Sequence, residues 1–333
     1  MNTLAQYQYL TTDKVLAGVL DTIVKESPIL ARLPWKDHKG NSLKFNIEDT
    51  MATVGYYEVG DTWVESANTW AQGSVSLTTM GGDVDTDKFA IKTKGDINDV
   101  RAVNITGKAK AMAHEFEENF VYGQTTDESI SKEFKGLLLW IANYETTALS
   151  VTDLDGADGQ NEQVIANDAI SGVLDLTKMD QLIDAIRPGK PDMLMMDRRT
   201  RRYLNYLART SSSSPIRVAQ DEFGKFIALY NEIPIIVNDF MKDNKPNNSS
   251  SVLNIATYDF DKTRAADYDN SVVLAMRLSD TDGVCGIQNG AMDHEDIGEL
   301  ETKRAYRNRF AWDLAVVMLG KKCAAVLTGV TDA

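Results

Sequence analysis

The chain has 333 residues, of which 43% are hydrophobic and 25% are charged, and its formal net charge is −14. This composition is typical of a folded chain with about two domains and excludes a disordered one. The excess of acidic residues disfavours general binding to phosphate backbones, because such binding depends on lysine and arginine.

The sequence also lacks the features of membrane-spanning proteins, of secreted proteins, and of disulfide or zinc scaffolds. No apolar run reaches about 18 residues, so no segment is predicted to span a membrane. The first residues carry no basic segment followed by an apolar one, so no secretion signal is predicted. Cys285 and Cys323 are the only cysteines, too few for a disulfide scaffold or a zinc site. These features predict synthesis in the cytoplasm.

The first predicted element is a short amphipathic helix. Residues 11–13 can cap it, apolar residues recur at helical spacing from Val15 to Val24, and Ser27 precedes the proline that ends it. Such a helix needs an apolar partner, either in its own core or in a neighbouring chain.

Residues 40–94 predict extended strands in a long hairpin. Leu43 and Phe45 alternate with polar residues, Val75 and Leu77 do the same, and a third alternation includes Phe89. Glycines punctuate the stretch. An isolated two-stranded ribbon is marginal in water, so we expect it to lean on other subunits.

A long helix is predicted from Asn98 to Val121, with a cap at Asp96 or Asn98. Apolar residues at 105, 109, 112, 116 and 120 form one stripe. The helix would be about 36 Å long and would end at Gly123.

The remaining chain alternates helices and strands, which predicts an α+β or mixed α/β domain. A helix begins near Leu176 and ends at Pro188, residues 193–196 form a buried strand, and Asp197 caps the next helix. A loop covers 211–214. Further strands are predicted around residues 226–230, 233–237, 252–256, 272–278 and 284–287, and on both sides of 320–322.

This order of segments resembles the major capsid proteins of tailed bacteriophages, which have the HK-97-like fold. Four local patterns carry the likeness: residues 120–123 with 133–137, residues 192–197, residues 230–239, and residues 304–329 with 309–313. Glu232 departs from the family pattern, where glycine is usual. The Lys–Asn cross-link of the founding member has no matching pair here.

The resemblance implies an α+β fold with an N-terminal arm, an extended E-loop, a long spine helix, a P-domain and an A-domain. The boundaries it implies are 1–39 for the arm, 40–95 for the E-loop, 96–174 for the spine helix and P-domain, 175–294 for the A-domain, 295–322 for the return to the P-domain, and 323–333 for a closing A-domain strand.

Two groups of residues are candidate contacts between subunits. Trp63 and Trp70 can anchor the E-loop on a neighbour, or can pack on their own P-domain. Arg198, Arg199, Arg201 and Arg202 cluster on one predicted helix. They can meet acidic residues of the next A-domain, form an ordinary solvated face, or contact nucleic acid.

No catalytic or metal-binding constellation is predicted. His114-Glu115 begins like a zinc-protease helix, but Glu118 stands where the second histidine is needed. Residues 153–159 hint at a calcium loop, yet Ala157 occupies a ligand position. Residues 293–296 form a charge run rather than a ligand set. No phosphate-binding loop, nucleophile elbow or dinucleotide motif is found, and no cofactor is expected.

The sequence therefore predicts a non-enzymatic virion protein that assembles into pentamers and hexamers around a double-stranded DNA genome. The expected partners are other copies of itself, a separate scaffolding protein or none, a portal, and a decoration protein, with no membrane and no sequence-specific DNA binding. An encapsulin-like compartment shell is the first alternative. An acidic α+β hydrolase is the weaker one.

Overall fold

The computed structural model describes residues 27–50, 52–89, 92, 100–123, 132–145, 163–166, 172–210, 216–220, 226–241, 245–246, 258–259 and 271–331. The helices in this part of the chain are α1 (Val100–Tyr122), α2 (Leu137–Glu145), α3 (Leu176–Asp184) and α4 (Arg198–Thr210). The strands are β1 (Trp35–Asp37), β2 (Ser42–Thr50), β3 (Thr69–Ser76), β4 (Thr78–Asp87), β5 (Val164–Ala166), β6 (Gly172–Val173), β7 (Met193–Met196), β8 (Ile216–Gln220), β9 (Phe226–Tyr230), β10 (Ile233–Val237), β11 (Lys245–Pro246), β12 (Tyr258–Asp259), β13 (Ser271–Met276), β14 (Val284–Gln288), β15 (Asp293–Glu299), β16 (Ala305–Met318) and β17 (Ala324–Thr331).

A five-stranded sheet is built around the long strand β16. The order is β1-β14-β16-β15, and β4 also pairs with β16. The β4 pairing is antiparallel and unbroken, from Ala305 opposite Asp87 to Leu314 opposite Thr78. Because β14 and β15 pair with the other side of β16, β4 forms one edge of this sheet.

A second, mixed sheet has eight strands in the order β5-β17-β13-β7-β10-β9-β8, with β6 also beside β17. β7 is its centre and is buried at all four residues. Met193 and Met195 face one apolar cluster, whereas Leu194 and Met196 face the other. Since side chains alternate between the two faces of a strand, this uninterrupted apolar run is the pattern of a strand covered on both faces.

The helix α1 packs its apolar stripe against the five-stranded sheet. Ala109, Met112, Phe116 and Phe120 are buried along it. The Phe116 ring lies 6.0 Å from Trp35, 6.3 Å from Trp312 and 5.6 Å from Phe134, measured between ring centroids. Helix α2 joins the same cluster, and α3 and α4 cover the opposite face of the eight-stranded sheet.

The end of α1 depends on two glycines in contact. Gly123 N donates to Asn119 O at 2.9 Å, and Gly136 N donates to Gly123 O at 2.9 Å. A Cβ on Gly123 would lie 2.2 Å from Phe134 O, and one on Gly136 would lie 2.5 Å from Gly123 N. Only residues without a side chain fit this approach.

The long helix is confirmed, with its start at Val100 and its end at Tyr122. The Asp197 cap is also confirmed, because its Oδ1 accepts from Thr200 N at 2.8 Å. The prediction of a strand at Phe89 is wrong: residues 88–89 are helical. Phe89 N donates to Asp87 Oδ1 at 2.6 Å, so a side-chain-capped turn ends the strand there.

Several predicted features lie outside the described residues. They are the helix at 13–24, the caps at Asp96 and Asn98, the acidic loop at 153–159, the loop at 211–214 and the strand at 252–256. Within the described part of the chain, no helix is long and apolar enough to cross a membrane.

Candidate assembly surface

A two-stranded ribbon projects from the body. β2 and β3 pair antiparallel, and among the described residues neither joins a larger sheet. The base of the ribbon is held by Phe45, whose ring lies 6.1 Å from Trp140. A Cβ on Gly73 would meet that ring at 2.7 Å, so the glycine makes room for the aromatic anchor. Val75 is buried beside it.

The outer part of the ribbon exposes large apolar side chains to solvent. Trp63 is 77% exposed and Trp70 is 64% exposed. Both predicted tryptophans are thus largely exposed to solvent in the single chain. The further exposed apolar residues of this region are Val54, Tyr56, Val59 and Val64. Exposed apolar surface of this kind marks interaction sites in soluble proteins.

The tip, residues 52–68, is nevertheless ordered by internal contacts. The rings of Tyr57 and Trp63 stack with centroids 4.8 Å apart, and Val64 N donates to Tyr57 Oη at 3.2 Å. Ser66 both accepts from Thr53 N at 2.9 Å and donates to Thr53 O at 2.8 Å. A pre-ordered tip loses less conformational entropy when it binds a partner.

The predicted arginine cluster lies at the start of α4. Arg198, Arg201 and Arg202 are exposed and Arg199 is half-buried. Arg198 donates from Nε and Nη2 to the two carboxylate oxygens of Asp239. This hydrogen bond raises the pKa of the Arg198 guanidinium, with the nearby Asp239 charge adding to the effect. The arginines and the tryptophans lie on different elements and form two separate surfaces.

Sequence reasoning missed a ladder of ion pairs between β4 and β16. Arg309 Nε donates to Asp83 Oδ1 at 2.8 Å, and Arg307 Nε donates to Asp85 Oδ1 at 2.6 Å. Hydrogen bonding from these arginines lowers the pKa of Asp83 and of Asp85. The available signal was the two-residue spacing of aspartates at 83, 85 and 87 and of arginines at 307 and 309, which places each set on one face of a strand.

A polar cluster lies beneath the start of α1. Arg101 Nη2 donates to Asp296 Oδ2 at 2.6 Å and to Asn308 Oδ1 at 2.9 Å. Arg101 thereby lowers the pKa of Asp296, first through this hydrogen bond. His294 stacks on Phe310 with ring centroids 4.8 Å apart. The cluster fastens the helix to β15 and β16.

The two thiols are placed where they cannot react readily. Cys285 and Cys323 are free and buried, and burial raises the pKa of each to about 12. A thiol with such a pKa carries almost no thiolate at neutral pH. Among the described residues, no three His, Cys, Asp or Glu side chains are grouped to hold a metal ion.

Comparison with known proteins supplies the context for these surfaces. The model of a family described as SU10 major capsid protein matches residues 74–267. No curated protein matches the chain.

Several solved structures share the fold at low sequence identity. The holo-SrpI encapsulin complex from Synechococcus elongatus is 13% identical with a TM-score of 0.63, over 99% of this chain and 96% of that one. The capsid of a native GTA particle is 10% identical with a TM-score of 0.57, over 93% and 90%. A protein of Mycobacterium phage Bobi is 11% identical with a TM-score of 0.56, over 92% and 90%.

Proposed function

The chain belongs to the SU10 major capsid protein family and is a structural subunit of a phage capsid with the HK-97-like fold, and we propose that its copies form the pentamers and hexamers of an icosahedral shell around double-stranded DNA. The observation that carries the proposal is the ribbon β2–β3, which exposes apolar side chains at an ordered tip. In a monomer these apolar side chains stay in contact with water, whereas a neighbouring copy can bury them in an interface.

We propose that the chain is divided into an arm, an E-loop, a spine helix, a P-domain and an A-domain at the boundaries given above. The ribbon is the E-loop and contacts a neighbouring subunit through Trp63 and Trp70. The arginine face of α4, at Arg198, Arg199, Arg201 and Arg202, meets acidic residues of the next A-domain. Arginine is enriched at interfaces because its guanidinium forms paired hydrogen bonds with carboxylates.

The proposed relation to DNA is enclosure without sequence-specific binding. A chain with a net charge of −14 is expected to bind a phosphate backbone weakly, because such binding depends on lysine and arginine. A separate scaffolding protein, a portal and a decoration protein are proposed partners, and the host cytoplasm is the proposed place of synthesis and assembly. The structural role requires no chemistry, and we propose that the protein is not an enzyme.

A protein-filled compartment shell is the second candidate, because the encapsulin of Synechococcus elongatus matches 99% of this chain. Nuclease-resistant DNA within purified particles would favour the capsid, whereas a stoichiometric protein cargo would favour the compartment.

The test of shell formation is negative-stain electron microscopy of the purified protein, with and without added salt and crowding agents. Closed shells, tubes or capsomers are the expected result. A monomer that stays dispersed at high concentration under all these conditions would contradict the proposal.

Two tip variants test the role of the ribbon. Trp63→Ala removes an exposed anchor and its stack on Tyr57, while Val59→Glu places a charge at a fully exposed tip position. Both are expected to reduce assembly with little change in melting temperature. Ile297→Ala, which truncates a partly exposed residue on β15, is the control and should assemble normally.

A further inference from the structure

The connection between β14 and β15 carries a chemically reactive dipeptide. Asn289 and Gly290 follow the last residue of β14, and both are exposed. Among the asparagines of the whole sequence, only Asn289 is followed by glycine. The backbone nitrogen of a residue can attack the side-chain amide of a preceding asparagine. Glycine permits this attack most readily, because it has no side chain that crowds the nitrogen.

The peptide bond between Asn289 and Gly290 lies outside both neighbouring ladders. The pairing of β14 with β16 ends at Gln288, and the pairing of β15 with β16 begins at Asp293. Gly290 has a φ of +82°, and a Cβ built on it would meet no atom within 4 Å. Because this peptide is open to solvent and is not held in a ladder, its nitrogen can rotate towards the Asn289 side chain.

Asn41 provides a contrast within the same chain. It is exposed as well, but the residue after it, Ser42, has a side chain and pairs with Ser76 in the ladder of β2 and β3. Asn41 O also accepts from Leu77 N at 2.9 Å. A backbone fixed in this way resists the rotation that brings the nitrogen and the amide carbon together. The two asparagines are thus both open to water but differ in backbone freedom.

Asn289 lies opposite an acidic residue. Gln288 pairs with Leu314, and the next pair in this register is Asn289 with Asp313. Asn289 N donates to Asp313 O at 3.1 Å, so the two residues are directly opposite each other. Asp313 is half-buried, and its Oδ1 accepts from Thr79 Oγ1 at 2.6 Å. In the encoded chain, a neutral amide therefore stands across from this carboxylate.

We propose that Asn289 deamidates spontaneously and that the carboxylate so formed weakens the end of the β14–β16 pairing. Gly290 N attacks the side-chain carbonyl carbon of Asn289, and the new C–N bond closes a cyclic imide. The C–N bond of the side-chain amide breaks, and ammonia leaves with the proton that Gly290 N loses. Water then opens the ring at either carbonyl and gives aspartate or isoaspartate. The reaction needs no oxidant, cofactor or second protein.

Either product places a negative charge opposite Asp313. Like charges directly opposite each other destabilise a strand pair, and isoaspartate also adds one carbon atom to the main chain. The neighbouring residue, Gln288, joins three strands: its Nε2 donates to Asp37 Oδ1 at 2.8 Å and its Oε1 accepts from Trp312 Nε1 at 3.2 Å. The change therefore falls beside the point where β1, β14 and β16 are held together. Since it needs no assembly, it goes beyond the proposed function and does not depend on it.

The first test follows the natural chain over time. The purified protein is kept folded in mildly alkaline buffer made with water enriched in heavy oxygen, and its peptides are analysed by mass spectrometry. The peptide with Asn289 is expected to gain the mass of an acid that carries heavy oxygen and to separate into an aspartate form and an isoaspartate form. The peptide with Asn41 should keep its amide.

Asn289→Gln is the matched control, because its longer side chain forms the larger ring much more slowly, and its peptide should stay unchanged. An Asn289 amide that persists in the folded protein, or deamidation of Asn41 at the same rate, would overturn the inference. Neither result would affect the proposed shell, which electron microscopy tests separately.

The second test measures the effect of the new charge with an encoded aspartate. Asn289→Asp is expected to lower the melting temperature by roughly 1–3 °C. Asp313→Asn keeps the oxygen that accepts from Thr79 and removes the opposite charge. In that background Asn289→Asp should have almost no effect, since the two substitutions are coupled only if the positions interact. An equal fall in both backgrounds, or none in either, would overturn the proposed weakening of the pairing.

Discussion

At the scale of single residues, glycines decide where chain segments can touch. Gly136 has no room for a side chain, since its Cβ would lie 2.5 Å from Gly123 N and 2.7 Å from Val121 O. Gly107 lies in the exposed half of α1, and its Cβ would meet no atom within 4 Å. The same substitution should therefore have opposite effects at the two positions.

We expect Gly136→Ala to lower the free energy of unfolding by about 1–3 kcal/mol, because the backbone must move to relieve the overlap. Gly107→Ala should raise it by about 0.5–1 kcal/mol, because alanine favours a helix over glycine. Urea denaturation followed by circular dichroism measures both. A stabilising effect of Gly136→Ala would show that the contact between the two glycine segments is looser than the structure has it.

Asp83 also supports a prediction at this scale. Its hydrogen bond with Arg309 lowers its pKa below the ordinary value of 3.8. A carboxylate with a lowered folded-state pKa stabilises the protein above its unfolded pKa, and this stabilisation is lost as the pH falls through the folded pKa. Arg309→Gln removes this effect. The melting temperature of the variant should therefore fall less steeply below about pH 4 than that of the natural chain. Arg304→Gln, at an exposed position outside the ladder, is the control, and identical acid profiles would contradict the assignment.

At the scale of elements, packing of α1 in an aromatic cluster stabilises the helix more than the intrinsic helix propensity of its residues does. Phe116 is fully buried among Trp35, Phe120, Phe134 and Trp312. Phe116→Ala should cost about 3–5 kcal/mol through lost contacts and an unfilled cavity, a large part of a typical domain's stability. Val103→Ala, on the exposed face of the same helix, should change stability by less than about 0.5 kcal/mol. Thermal unfolding of both variants checks this.

At the scale of the whole molecule, the distribution of charge predicts how assembly responds to salt. The chain is acidic overall, but α4 carries five arginines and no acidic residue. If α4 meets an acidic surface of the next copy, Arg201→Glu with Arg202→Glu should reduce assembly and remove part of its dependence on salt. Lys190→Glu, at another exposed cation, should do neither. Assembly is measured by light scattering between about 50 mM and 500 mM salt, because screening of charges strengthens markedly over this range. An unchanged assembly curve for the arginine variant would contradict the proposed role of α4.

The prediction from sequence succeeded where the period of apolar residues was long and regular. The α1 stripe and the buried strand β7 were both anticipated, because a helix with one apolar face and a strand covered on both faces leave distinct patterns. Whether Trp63 and Trp70 are exposed or buried could not be predicted from the sequence, because exposure depends on how the ribbon packs against the rest of the chain. At Phe89, a local hydrogen bond to Asp87 prevailed over the alternating pattern.

By itself, the sequence determined most of the order of the elements and showed no recognisable catalytic motif, because periodicity and spacing are local properties of the chain. The family followed from the resemblance of this order to known capsid proteins, which the family match over residues 74–267 bears out. Only the tertiary structure decided which strands form the edges of the five-stranded sheet among the described residues and which aspartates are paired with arginines. Both depend on partners more than 200 positions apart in sequence, such as Asp83 and Arg309, and a strand's edge is defined only once its neighbour is in place.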